Sequence, residues 1–322
     1  MTGVHTDVAP AAVAFGPPLR LLREAPLRDL LAPIAPDLHR LEASGVVLID
    51  DLLWIIFDNL PHLVAVGPGL APGPGAATVV RGSGPAAGYE DVAHDEVSGR
   101  RFVLIESART PQGRYRPQID EYDAHWRHLA RRWVELDVVH RNKGLEGLTC
   151  VHRGGRLHLL ALSEGNGGRG GRRGRRPGDG VVHVLVEEAG AWAVAGRIHL
   201  PAGLPFVDHS GISVHGDRIA VVSQESSALW VGRLDPGSWR VAGGGRVHPF
   251  PRDRRGRLLY GTVEGVTWVD ARTVAAVSDR TKPAAQRRLR RTAESVHLFA
   301  LPEPGDGPRA RAADAGTGTV EG

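Results

Sequence analysis

The chain has one cysteine, Cys150, and only two lysines, Lys143 and Lys282, in 322 residues. A single thiol excludes an internal disulfide, and nothing in the sequence demands an oxidising compartment. Long apolar runs are missing as well. "LLWIIF" (52–57) is strand-sized, far short of the roughly 18 residues of a membrane span. The first residues, "MTGVHTDVAPAAVAFGPPLR", place no basic segment before an apolar core and do not read as a secretory signal. No G-x-S-x-G nucleophile elbow is present. These absences set the expectation of a soluble, cytoplasmic protein without a membrane association.

What is present is arginine, in a chain of net charge +4. Its distribution argues against nucleic acid as the partner. Five arginines sit in "RGGRRGRR" (169–176) and four in "RRLRR" (287–291). Without those nine the chain holds 31 basic and 36 acidic residues, a net of −5. The body is mildly acidic, and both basic tracts read as solvated segments. The first is expected to be a flexible, dispensable loop insertion (167–179) on the rim. Residues 1–16 and 303–322 lack periodicity and are expected to be disordered tails. The segment 18–34 fits either a short helix or an extended strand, because of its prolines.

From residue 41 onward, short β-branched runs recur between Gly- and Asp-containing turns. Five segments share one grammar: "SGVVLIDDLLWIIFDN", "EDVAHDEVSGRRFVLIES", "EGLTCVHRGGRLHLLALSEGN", "SGISVHGDRIAVVSQES" and "EGVTWVDARTVAAVSDR". The second position of each falls at Gly45, Asp91, Gly147, Gly211 and Gly265. Five units over 41–300 average about 52 residues, the length of a four-stranded propeller blade. The fold expected is all-β: a single β-propeller domain over 17–302, of five or six blades. Its last strand, "SVHLFALP", would complete a blade begun near the N-terminus and so remove the open sheet edges.

Aligning the units produces two polar columns. Ser44, Glu90, Glu146, Ser210 and Glu264 begin the first strands; Asp58, Glu106, Glu164, Glu225 and Asp279 end the second. The two strands form a hairpin, so both columns belong at one face of the disc, around the central channel. Eight carboxylates there raise each other's pKa or take cations between them. Lys143, Arg109, Arg280 and Lys282 are candidate partners, and Asn59, Asn142 and Asn166 add neutral oxygens. That donor set suits Ca²⁺ or Mg²⁺. A ligand-binding channel face of Asp58, Asn59, Glu106, Lys143, Glu164, Glu225 and Asp279 is expected, open to a small molecule or a protein. The alternative for the same columns is capping or Arg pairing alone.

The segments "NKGLEGLTC…RLHLLALSEGN", "SGISVHGDRIAVVSQESSALWV" and "VEGVTWVDARTVAAVSDR" resemble repeats of the SdiA-regulated and esterase-like phytase propellers. More distantly they resemble the calcium-dependent gluconolactonase and paraoxonase propellers. The resemblance covers about 41–300. It implies a propeller of five or six blades and a central metal held by glutamates of the "EG" or "ED" type. Glu90, Glu146 and Glu264 stand at matching positions. The full ligand set of the distant enzymes and a catalytic base are not matched. The expectation is therefore a monomeric ligand- or cation-binding propeller. The alternative is a metal-dependent hydrolase of a small ester, lactone or phosphoester.

Other residues read as structural. His209 and Ser210 are adjacent and would point to opposite faces of a strand, which argues against a nucleophile–base pair. Cys150 reads as core filler, and His140 and His152 lack metal-ligand spacing. Trp54, Trp230 and Trp268 are expected to pack between blades.

Overall fold

The computed structural model describes residues 12–72, 77–81, 88–138, 144–169, 171–281 and 287–302. They form five sheets, each built on four antiparallel strands and arranged as a five-bladed β-propeller. The innermost strands are Ala43–Ile49, Tyr89–His94, Leu145–Arg153, Gly211–His215 and Val263–Trp268. Each touches the innermost strand of the blade on either side, so the ring is closed. The five repeats seen in the sequence are the five inner hairpins, and the choice between five and six blades resolves to five.

Closure is made by the N-terminal segment. Arg20–Pro26 pairs with Ser295–Ala300 and supplies the outermost strand of blade five. The 18–34 segment is thus both extended and helical, because the single-turn helix Leu27–Leu31 follows directly. Leu27, Leu30 and Leu31 are buried in the wedge between blades five and one. Part of the segment 1–16 is structured, and residues 1–11 of it lie outside the described residues. Ala14–Phe15 pairs in parallel with the Arg246–Pro249 strand and adds a fifth strand to blade four. That edge still had unpaired backbone groups, and a two-residue segment satisfies some of them. The C-terminal tail, 303–322, lies outside the described residues.

Each wedge between neighbouring blades is filled by one apolar cluster, five in all. The tryptophans pack there as expected. Trp54 of blade one lies 5.0 Å from Trp126 of blade two, with the Arg101 guanidinium over both rings. Trp230 is fully buried in the wedge between blades three and four. The Trp268 indole donates to the Ser213 carbonyl of the neighbouring blade. Among the described residues no helix is long and apolar enough to cross a membrane.

The second position of each repeat is where the inner strands come closest. A Cβ on Gly265 would sit 2.8 Å from the Gly45 Cα, and one on Gly45 would sit 2.7 Å from the Asp91 Cα. On Gly147 it would meet the Ile212 nitrogen at 3.0 Å, and on Gly211 it would overlap the Glu264 carbonyl. Asp91 is the one side chain in this column. It is buried, and it survives by accepting hydrogen bonds from the backbone of Val92 and of Leu148 in the next blade, both at 2.8 Å. Immediately below, Val46, Val92, Leu148, Ile212 and Val266 form a buried apolar ring. It leads into a central cavity of about 530 Å³.

The arginine tract is not the bare rim loop expected. It joins the second and third strands of blade three, on the face where the second strands end. Its Gly171–Gly174 turn of helix is pinned by Asn166. That buried amide donates to the carbonyls of Gly174 (3.0 Å) and Phe206 (3.1 Å) and accepts from the Asp179 nitrogen (3.2 Å). Arg175 forms a forked ion pair with Glu225 of blade four. The second tract also carries a single turn, Arg287–Arg290. Composition alone concealed this, because one buried Asn can hold a loop that has no apolar side chain.

Two outcomes are expected in chemical or thermal unfolding. Gly211→Ala forces a methyl into the neighbouring strand's backbone and lowers stability by at least about 2 kcal/mol, while Gly67→Ala, facing open space, changes it by less than about 0.5 kcal/mol. Asn166→Ala strands three buried hydrogen-bonding groups and costs about 2 kcal/mol, whereas Arg172→Ala is close to neutral.

Candidate functional site at the channel mouth

The inner strands do not start as regular strands. Register shifts fall between Ala43 and Gly45, Tyr89 and Val92, Leu145 and Gly147, and Val263 and Val266. Each shift is a β-bulge, and the unpaired residues include Ser44, Glu90, Glu146 and Glu264, four members of the first polar column. A bulge re-aims the side chain it frees. The sequence showed the column but not the device that turns it inward.

The two serines of the column brace the ring. Ser44 Oγ donates to the Tyr89 carbonyl at 2.6 Å and Ser210 Oγ to the Val263 carbonyl at 3.2 Å, each across to the next blade. Among the described residues, the most compact carboxylate group at the mouth draws on both columns. Glu146 joins Glu106 and Glu164 of the second column, and these three offer carboxylate oxygens that all lie within 4.8 Å of one another. Glu106 also accepts from the Gly144 nitrogen at 3.1 Å. Glu90 is a close neighbour of Glu146, and each carboxyl acts on the proton affinity of the other. Glu264 instead accepts from the Gln224 amide at 2.7 Å. Gln224 is a mouth residue that the repeat alignment passed over, since it lies between the columns.

The rest of the second column is dispersed. Asp58 is exposed and caps the Gly88 nitrogen at 3.1 Å; Glu225 is engaged by Arg175. Asp279 accepts from the Arg280 nitrogen, and its carboxyl is pushed up to about 6, first by burial and then by Glu42 and Asp58. Arg280 reaches Glu42 at 3.8 Å. Asn59 donates through its amide nitrogen to the Arg40 carbonyl, while its buried Oδ1 has no hydrogen-bond partner. Asn166 is the loop staple and is committed there. Arg109 is exposed on its strand. Lys143, Asn142, Lys282 and His140 lie outside the described residues. Asp208, which no column contains, accepts from Ser223 Oγ and from the Glu225 nitrogen.

Electrostatics follow from the apolar ring below. Burial first, and neighbouring carboxylates second, push Glu90, Glu146 and Glu264 well above the usual carboxylate range. For Glu146 the neighbours are Glu90, Glu164, Glu106 and Glu264. His209 and Ser210 form no dyad. His209 is bonded to the Glu164 carbonyl and burial holds it down at about 4, while Ser210 serves the backbone. Cys150 is half-buried in the channel wall, and His152 bonds Asp95 at 2.7 Å.

No family model and no curated protein matches this chain. Solved structures do match it, at low identity. The Myxococcus xanthus glutaminyl cyclase is 11% identical with a TM-score of 0.53, over 91% of this chain and 100% of that one. The GH43_1 enzyme from Xanthomonas citri, solved with xylose, is 12% identical with a TM-score of 0.50, over 88% and 92%. At such identities the likeness concerns the fold, and what this chain is similar to is a set of β-propellers.

Proposed function

We propose that this propeller binds a divalent cation, Ca²⁺ or Mg²⁺, at its acidic mouth and presents it to a small molecule or protein lying over the channel. The observation that carries this reading is the convergence of Glu106, Glu146 and Glu164 within 4.8 Å. Ca²⁺ takes oxygen ligands at 2.3–2.6 Å, so two oxygens on one ion can be at most about 5 Å apart. Three all-oxygen donors from three chain positions, over an apolar floor, match hard-cation chemistry and not that of Zn²⁺. Glu90, a close neighbour of Glu146, would add to the negative potential that draws the cation. The resemblance of the "EG" strand starts to those of the calcium propellers supports Glu146 as the central ligand. Of the three glutamates first expected there, Glu264 is the one that its bond to Gln224 sets apart. Binding is favoured over hydrolysis of an ester, lactone or phosphoester because His209 and Ser210 are both committed to backbone carbonyls.

The test is thermal unfolding with Ca²⁺, with Mg²⁺ and with chelator, on the wild type and on Glu146→Gln. Wild type gains about 2.7 kcal/mol when the cation stands at a hundred times its dissociation constant, and the Gln variant gains less. If the chelator has no effect and Gln stabilises the protein, the mouth holds no metal.

The pH dependence has a defined sign. A carboxyl whose pKa is raised on folding stabilises fully below its unfolded value, and that contribution is lost as pH rises through the folded value. Glu146 is of this kind. In chelator, Glu146→Gln should therefore become more stable relative to the wild type as pH rises from about 4.5 through neutrality. Saturating cation should cancel or reverse that trend. Paired denaturation curves across this range measure it.

A further inference from the structure

The blades carry a second equivalence, deeper in each sheet. In each blade one second-strand residue (Ile55, Val103, Ala161, Val221 and Ala276) pairs with a third-strand residue, which pairs in turn with one on the fourth strand. In blades one and four the third- and fourth-strand pair is apolar: Val64 with Val79, and Trp230 with Val247. In blades two, three and five it is polar: Asp120 with Arg131, His183 with Arg197, and His297 with Glu24.

Two of these polar pairs are complete. Asp120 receives both arms of Arg131, at 2.7 and 2.6 Å. His297 bonds Ser278 Oγ through Nε2 at 2.8 Å and Glu24 through Nδ1 at 2.9 Å. Blade three repeats only half of that chain. Ser163 Oγ lies 3.1 Å from His183 Nε2, but His183 Nδ1 has no hydrogen-bond partner. The imidazole is 5% exposed. Where blade five offers the carboxylate of Glu24, blade three offers the guanidinium of Arg197. A buried polar atom left unpaired costs about 1–3 kcal/mol, so its persistence calls for an explanation.

A cavity of about 340 Å³ lies against this ring, lined among others by Ser163, His183, Arg197, His199 and the Gly167–Gly168 backbone. Nδ1 itself presents almost no surface, so a guest reaches it as a neighbouring side chain moves aside. The nearby acids are compensated: Asp137 by Arg114 and Arg116 at 2.6 and 2.5 Å, and Asp179 by Arg169 at 4.0 Å. We propose that this cavity is a binding subsite for a small carboxylate, with one oxygen accepting from His183 Nδ1–H and the other from Arg197. The guest would occupy on His183 the place that Glu24 occupies on His297. An arginine fork matches the planar carboxylate. Binding would fix the imidazole as the Nδ1–H tautomer, with Nε2 accepting from Ser163 Oγ–H. Burial, with Arg197 adding to it, holds His183 down at about 4, so the ring meets its guest neutral. This subsite does not depend on the cation proposed at the mouth.

The test is NMR of the full chain with ¹⁵N-labelled histidine rings, titrated separately with acetate and with inorganic phosphate. Acetate should shift the His183 ring nitrogens saturably and leave His297, already served by Glu24, in place. Arg197→Gln should weaken that response roughly tenfold. Arg197→Glu supplies the carboxylate from the chain itself. It should show the acetate-bound His183 signature without acetate and ignore added acetate. A His183 that does not move with either anion overturns the proposal, as does an undiminished acetate response in Arg197→Glu. A response to phosphate alone overturns the carboxylate assignment.

Discussion

Everything else in this propeller depends on how closely five strands approach one another around an axis. Four glycines and one buried aspartate stand at that contact, and a Cβ on any of the glycines would meet atoms of the neighbouring strand. Only backbone, or a carboxylate that binds backbone as Asp91 does, fits there. This tightness sets what lies on either side. Above it, the bulged strand starts carry carboxylates to the mouth; below it, the next residue of each strand is apolar and buried. The raised proton affinity of Glu90 and Glu146 follows from packing before it follows from mutual repulsion.

The mouth is consequently not symmetric. Serines replace glutamates in blades one and four, and they spend their hydroxyls on the adjacent backbone. Charge gathers at blades two and three, with Glu264 held to one side by Gln224. A pseudo-fivefold scaffold thus yields a lopsided site. The same holds within the sheets, where three polar cross-strand pairs differ in whether they complete themselves.

The propeller and its polar columns were legible because they rest on a pattern repeated five times within the first hairpin of each blade. Period, glycine column and carboxylate columns all reinforce one another there. The outer strands carry no shared grammar, so the meeting of His183 with Arg197 is visible only once register is known. Asp208 escaped because it sits in a connecting segment, and Gln224 because it stands one residue before the column, in the turn after the second strand. The expectation grouped Glu90, Glu146 and Glu264 by their shared position in the repeat. Which side-chain partners each meets, Gln224 for Glu264 and the second-column acids for Glu146, is decided by turns that the repeat does not specify.

The pairing of Arg20–Pro26 with Ser295–Ala300 joins strands separated by most of the chain. Four blades can assemble in the order in which a ribosome delivers them, but the fifth cannot. Its outermost strand is made first and must wait, unpaired, until the last hairpin has been synthesised. The ring then shuts in one long-range event, of the kind that slows folding through loop closure. During that interval the unfinished fifth blade exposes a sheet edge, and its neighbours a bare wedge face, which is when such a chain is most open to association with other copies or to capture by chaperones.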